Sequence, residues 1–180
     1  IQKLRSEGIT DEKILTAIRM VPRELFTEKL DEAYENKALS VECGQTLTQP
    51  FCTAYMASFL NLRETDDILD IGCGVGWSTA VISKLVKTVF TMERFKKLLD
   101  IAKKNIAKLK IENVQFKLGN GFEGWGDKIL FDAIIIGAAS EVVPVKLLES
   151  LKSNGRLIMP KKYDAGNQKL LLVTKKSGNF

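Results

Sequence analysis

The 180-residue chain has no histidine. That excludes Ser-His-Asp and Cys-His catalysis, histidine zinc sites and imidazole proton shuttles. Cysteine is scarce: Cys43, Cys52 and Cys73 form no C-x-x-C pair, and an odd number gives no disulfide framework. No metal site is expected, and a reducing, cytoplasmic setting is. The longest apolar runs, such as residues 133–136 and 170–173, fall far short of the ~20 residues a membrane span needs, so no membrane partner is expected. The first residue, Ile1, opens charged, helix-like sequence without a signal-peptide pattern, and the missing initiator Met suggests a trimmed start. What remains, 45% hydrophobic and 27% charged, suffices for a packed core without metal or disulfide support. The length favours one domain over residues 1–180.

The net charge of +5 is uneven. Residues 1–60 carry 7 basic and 9 acidic side chains, and residues 61–180 carry 20 and 13. A nucleic-acid surface is one reading of the basic part. The lysines are dispersed and not interleaved with aromatics, which favours solvated helix faces and no nucleic-acid partner.

Residues 1–60 read as a helical extension. Thr10 is placed to cap a helix carrying Ile14, Leu15 and Ile18 on one face, and Pro22 to open a helix over residues 22–30. Residues 38–49 lack helical period and read as a loop; Pro50 reopens a helix through Phe59. From residue 67 strands alternate with helices: strands at 67–71, 88–92, 114–118, 131–136, 156–159 and 169–173, helices at 77–85, 95–110 and 144–151. Asn154-Gly155 reads as the stop of the last helix. Such alternation predicts an α/β fold with a doubly wound, mostly parallel sheet and a helical N-terminal extension packed on it.

The sharpest motif is Asp70-Ile71-Gly72-Cys73-Gly74-Val75-Gly76-Trp77, between a buried strand and a helix. Glycines there let a ligand approach the backbone at the carboxyl end of the sheet. The spacing is G-x-G-x-G, not the G-x-G-x-x-G of dinucleotide sites. It is similar to the glycine loop of S-adenosylmethionine-dependent methyltransferases. Glu93 ends the next strand, 17 residues beyond Gly76, where a carboxylate can accept from both ribose hydroxyls. Gly119-Asn120-Gly121 follows the third strand; it reads either as a turn alone or as a turn whose side chain faces a base. The fourth strand ends in Ile136-Gly137-Ala138-Ala139-Ser140, not the Asn-Pro-Pro-Tyr type of base-amino methylation, and no Pro-Cys for cytosine methylation occurs.

From about Val21 to Val173 the chain resembles the protein-L-isoaspartate O-methyltransferase family. Val21-Pro22-Arg23-Glu24-Leu25-Phe26 is similar to that family's V-P-R-x-x-F. Gly44-Gln45-Thr46-Leu47-Thr48-Gln49-Pro50 is similar to its specific G-Q-T-x-S-Q-P. Phe131-Asp132-Ala133-Ile134-Ile135, Gly137-Ala138-Ala139, Val143-Pro144 and Gly166-Asn167-Gln168 continue the match in order. The resemblance implies a Rossmann-like class I methyltransferase. Its cofactor would be S-adenosyl-L-methionine, released as S-adenosyl-L-homocysteine. Its substrates would be isoaspartyl-containing proteins and peptides, methylated on the freed α-carboxylate as a repair step. It implies Thr48 as the active-site hydroxyl, and a cofactor pocket of Gln45, Thr46, Thr53, Asp70, Gly72, Cys73, Gly74, Gly76, Glu93, Arg94, Asn120 and Gly121. Thr48 next to a helix start also reads as an N-cap.

Three positions depart from the family pattern: Asn120 for Asp, Thr48 for Ser, and Ser140 within the G-A-A-A/P run. The family continues past position 180, so an incomplete C-terminus is expected, as is a monomer. Alternatives are a methyltransferase of the same fold for another carboxylate or small molecule, and a binding module without turnover.

Overall fold

The structure is a computed structural model that describes residues 1–126, 128–163 and 167–176. The helices are α1 (Gln2–Ser6), α2 (Glu12–Met20), α3 (Pro50–Leu60), α4 (Trp77–Ser83), α5 (Lys96–Lys108) and α6 (Val145–Glu149). The strands are β1 (Leu39–Ser40), β2 (Thr46–Leu47), β3 (Asp67–Ile71), β4 (Thr88–Glu93), β5 (Val114–Leu118), β6 (Phe131–Ile136), β7 (Leu151–Lys162) and β8 (Gln168–Thr174). Six of them form one sheet, ordered β5-β4-β3-β6-β7-β8, parallel except for antiparallel β8. The chain winds outward from β3 to β5, then returns to β6 on the other side of β3. That reversal opens a crevice at the carboxyl ends of β3 and β6.

Strand alternation explains why both sheet faces are covered. Ile68, Val89, Ala133, Ile135 and Ile158 pack toward a cluster that includes residues of α2, α3, α4 and α5. Leu69, Phe90, Met92, Ile134, Ile136 and Leu157 turn the other way, against Leu147 of α6. Leu4, Ile9, Ile14 and Leu15 join the first cluster, so the N-terminal helices share the sheet's core.

Several local expectations are corrected. The cap of α2 is Asp11, not Thr10; its carboxylate accepts from the N–H groups of Lys13 and Ile14 at 2.8 and 3.4 Å. Residues 22–30 form no α-helix. A 3₁₀ turn at Arg23–Phe26 is followed by another at Leu30–Glu32, because the Arg23 side chain is drawn inward. The 38–49 loop contains a hairpin: β1 pairs with β2, around a 3₁₀ turn at Glu42–Gly44. Asn154-Gly155 does not end a helix, since α6 stops at Glu149. It makes a bulge inside β7, with Asn154 at φ +61°, where the register jumps from Phe131↔Leu151 to Ala133↔Arg156. Of Gly166-Asn167-Gln168, Gly166 lies outside the described residues; the Asn167 carbonyl accepts from Tyr163 N–H at 2.8 Å.

Candidate active site and cofactor crevice

The glycine loop leaves β3 and enters α4. Gly72, Gly74 and Gly76 all have positive φ, at 88°, 56° and 96°. A Cβ on Gly72 or Gly74 would meet nothing within 4 Å, whereas one on Gly76 would lie 3.1 Å from Ala102 Cβ. The first two glycines thus leave an open cradle, and the third lets α5 approach closely. Gly72 N–H donates to the Met92 carbonyl at 2.8 Å, which ties the loop to β4.

Glu93 is buried, at 6% exposure, and is not a surface residue at a strand end. One carboxylate oxygen accepts from Gly74 N–H and the other from Phe95 N–H, each at 3.0 Å. Its backbone carbonyl accepts from Gly119 N–H at 3.0 Å, so one residue joins the three loops of the crevice. Each carboxylate oxygen keeps further acceptor capacity. Asp70 is also buried, and one of its oxygens accepts from Thr79 and Thr91 hydroxyls at 2.6 and 3.0 Å. Burial pushes the Asp70 carboxyl up; the two hydroxyls pull it back, and nearby Glu93 adds to the rise. Cys73 is buried, and burial followed by the charges of Asp70 and Glu93 pushes its thiol up, which disfavours the thiolate.

Gly121 has a packing reason: a Cβ there would stand 2.2 Å from Ile71 Cγ2. Asn120 is exposed, and its side-chain oxygen accepts from Phe122 N–H at 3.1 Å. Arg94 is exposed, with its guanidinium 4.6 Å from the centre of the Phe95 ring. Ser140 is absorbed structurally: its hydroxyl donates to the Val142 carbonyl, and its backbone pairs with Pro160 and Lys162.

The hairpin supplies the remaining candidates. Gln45 is half-buried and its amide donates to the Cys43 carbonyl at 3.2 Å; Thr46 is exposed on β2. Glu42 in the turn forms an ion pair with Lys97 of α5 at 2.8 Å, which holds the hairpin against the helix that follows Glu93. Thr53, in the first turn of α3, is 2% exposed and its hydroxyl has no partner among the described residues. An unpaired buried hydroxyl is costly unless a ligand satisfies it.

Thr48 is half-buried, and its hydroxyl makes no hydrogen bond among the described residues. It is not the N-cap of α3: the cap position is Gln49, whose side chain makes no capping bond. The free Phe51 N–H is satisfied from a distance by Asn36 Oδ1 at 3.0 Å. The helix start is capped by a residue from another segment, which leaves the Thr48 hydroxyl unengaged.

Arg23 and Asn36 were not identified as site residues from sequence. The Arg23 guanidinium is 1% exposed and donates to backbone carbonyls of two segments, Thr48 among them. The arginine of the V-P-R-x-x-F match at Val21-Pro22-Arg23-Glu24-Leu25-Phe26 was the one available signal.

The open cradle at Gly72 and Gly74 and the buried Glu93 acceptor fit a ribose-bearing ligand at the strand ends. Among the described residues no group of three or more metal-ligating side chains comes together, and no helix is long and apolar enough to cross a membrane.

Comparison with known proteins agrees with this geometry. A curated protein-L-isoaspartate O-methyltransferase of Aliivibrio fischeri is 44% identical over 181 residues, covering 99% of this chain and 86% of that protein. One of Parvibaculum lavamentivorans is 42% identical over 177 residues, covering 96% and 80%. A solved protein-L-isoaspartate O-methyltransferase superposes with TM-score 0.88 at 31% identity, covering 98% of this chain and 59% of that one. A Plasmodium falciparum structure, described as this type of enzyme in complex with S-adenosyl-L-homocysteine, gives TM-score 0.87 at 26% identity, covering 99% and 89%. The sequence model of the protein-L-isoaspartate(D-aspartate) O-methyltransferase family matches residues 1–180, and the chain belongs to that family.

Proposed function

We infer that this chain transfers the methyl group of S-adenosyl-L-methionine to the free α-carboxylate of L-isoaspartyl residues in damaged proteins and peptides. The observation that carries the reading is the unengaged Thr48 hydroxyl. It sits in the segment similar to the family's specific G-Q-T-x-S-Q-P, beside a helix start that is capped from elsewhere.

When bound, S-adenosyl-L-methionine supplies a methyl group activated by the sulfonium. The residues that would hold it are Glu93, accepting from ribose hydroxyls, and Asn120, whose amide oxygen can accept from the adenine amino group. The backbone at Gly72 and Gly74 would lie against it. Gln45, Thr46, Thr53, Asp70, Cys73, Gly76, Arg94 and Gly121 complete the walls or support them.

The substrate carboxylate ionises near ~4, so it is already the nucleophile at neutral pH and no general base is required. That agrees with a chain without histidine. The protein's task is orientation, which can contribute ~7–11 kcal/mol in favourable cases. Thr48 donates to one carboxylate oxygen and leaves the other to face the methyl group. Hydrogen bonds to charged groups are worth ~1.5–3 kcal/mol. Thr48→Val keeps the side-chain shape and removes the donor; kcat/KM for an isoaspartyl peptide is expected to fall ~10–100-fold. Thr48→Ser keeps the donor and most of the activity. Wild-type turnover by Thr48→Val at unchanged stability would remove Thr48 from the mechanism.

A further inference from the structure

Arg23 is a buried cation without a carboxylate partner among the described residues. Its Nη1 donates to the carbonyls of Ala33 at 2.7 Å and Glu35 at 3.4 Å. Its Nη2 donates to the carbonyls of Lys37 at 3.1 Å and Thr48 at 3.0 Å. One face of the guanidinium lies over the Trp77 ring, 5.3 Å from its centre. Trp77 directly follows Gly76 of the glycine loop, and its indole N–H donates to the Val21 carbonyl at 3.3 Å, two residues before Arg23. Burial lowers the Arg23 pKa to about 10, still well above neutral pH.

The four Nη N–H donors of a planar guanidinium fit four carbonyls from two backbone segments, while the buried Nε N–H has no partner among the described residues; a lysine ammonium offers three donors around one point and cannot span the four carbonyls. Carbonyls alone do not neutralise a guanidinium, so pure stability is a poor reason to bury one here. The arrangement has a geometric result instead. The backbone of Thr48 is bound to the same group that rests on the first residue of α4. Thr48 and the end of the glycine loop are thereby referenced to one rigid object, although 28 residues separate Thr48 from Gly76 in sequence.

We propose that Arg23 is the positioning residue that sets the Thr48 hydroxyl relative to the glycine loop through the Thr48 carbonyl. The proposal rests on the reading of Thr48 given above. Arg23 touches no reacting atom in this scheme; it acts through Thr48.

The test is a double-mutant cycle of Arg23→Lys with Thr48→Val, read by initial-rate methylation of an isoaspartyl peptide and by calorimetric affinity for S-adenosyl-L-homocysteine. Displacement by about 1 Å can cost about 100-fold in rate. Arg23→Lys is therefore expected to lower kcat/KM about 10–100-fold, with S-adenosyl-L-homocysteine affinity within about twofold of wild type. In the Thr48→Val background the same change is expected to cost less than about twofold, because the group it positions is gone. Full additivity of the two losses would overturn the proposal. So would a matching loss of S-adenosyl-L-homocysteine affinity, the mark of general structural damage. Failure of the underlying Thr48 reading shows separately, as wild-type activity of the Thr48→Val single variant. If Arg23→Lys does not fold, Trp77→Phe keeps an aromatic ring under the guanidinium, removes the indole N–H and leaves a smaller ring in a fully buried site. Beyond any packing loss, which lowers stability and is read separately by unfolding, it is expected to show the same pattern at smaller amplitude, a peptide-specific loss that disappears with Thr48→Val. A loss that persists there would count against the proposal.

Discussion

Glu93→Gln tests the cofactor crevice in a form the structure makes quantitative. The wild-type carboxylate presents one oxygen to Gly74 N–H and the other to Phe95 N–H, both at 3.0 Å. A glutamine in the same place can satisfy only one of them; its amide nitrogen must face the other N–H, donor against donor. If the retained oxygen faces Phe95, the glycine loop loses its anchor. If it faces Gly74, the entry to α5 loses one. Either way a charge-assisted bond worth ~1.5–3 kcal/mol is replaced by a repulsive contact at a site that is 6% exposed. The ribose hydroxyls lose their anionic acceptor as well. Affinity for S-adenosyl-L-homocysteine is expected to fall ~10–100-fold by calorimetry, or ~1.4–2.8 kcal/mol. Tm is expected to drop by several degrees, at roughly 2–4 °C per kcal/mol for a chain of this size. A ligand lacking one ribose hydroxyl separates the two effects. Wild type is expected to lose affinity for the deoxy ligand, and Glu93→Gln to discriminate less between the two. Unchanged affinity in Glu93→Gln, or equal discrimination by both proteins, would refute the ribose assignment.

Asn120→Asp keeps the acceptor that Phe122 N–H uses and adds charge, so S-adenosyl-L-homocysteine should bind equally or more tightly; a clear calorimetric loss would show a crevice built around the amide. Gly121→Ala would set a methyl 2.2 Å from Ile71 Cγ2 and should cost ~1–3 kcal/mol in denaturant unfolding, partly recovered by Ile71→Ala; an unchanged unfolding midpoint would contradict the packing reason for Gly121. Because burial raises the Asp70 carboxyl, the folded chain holds that proton more tightly than the unfolded chain. Stability from this group is full below the unfolded value near ~4 and is lost as pH rises through the folded value. Asp70→Asn should therefore gain Tm over wild type at pH 7, with the gap narrowing toward pH 4; a gap independent of pH would contradict this. The kcat/KM profile should be flat from about pH 6 to 9, since the substrate carboxylate titrates near ~4 and the chain has no histidine; a bell-shaped profile would point to an unrecognised acid or base.

The central strands of the sheet were legible because they are buried on both faces and read as short apolar runs, and the edge strand β5 because Val114, Phe116 and Leu118 alternate with Gln115 and Lys117. Strands 67–71, 114–118 and 131–136 fall on β3, β5 and β6. The hairpin at 39–47 escaped because its strands are two residues each, too short for any period to register. The 3₁₀ turns at 23–32 escaped because Pro22 is compatible with any first turn, while the conformation is decided by where Arg23 goes. In the crevice, Glu93 and the glycines carry their chemistry in the residue type and could be read directly. Arg23 could not: its partners are backbone carbonyls of Ala33, Glu35, Lys37 and Thr48, and a carbonyl leaves no mark on the sequence. The remote cap from Asn36 to Phe51 is invisible for the same reason, and its absence from local sequence made Thr48 read as a cap as well as a catalytic hydroxyl.

The central claim is methyl transfer to an isoaspartyl carboxylate, and matched peptides test it directly. Two peptides of identical sequence, one with L-isoaspartate and one with L-aspartate at a single position, are incubated with the chain and methyl-labelled S-adenosyl-L-methionine. Transferred label is counted promptly, because the ester is base-labile. The account predicts label on the isoaspartyl peptide, none above background on the aspartyl peptide, and ~10–100-fold less with Thr48→Val. Equal labelling of both peptides, or binding of S-adenosyl-L-methionine without transfer to either, would contradict it.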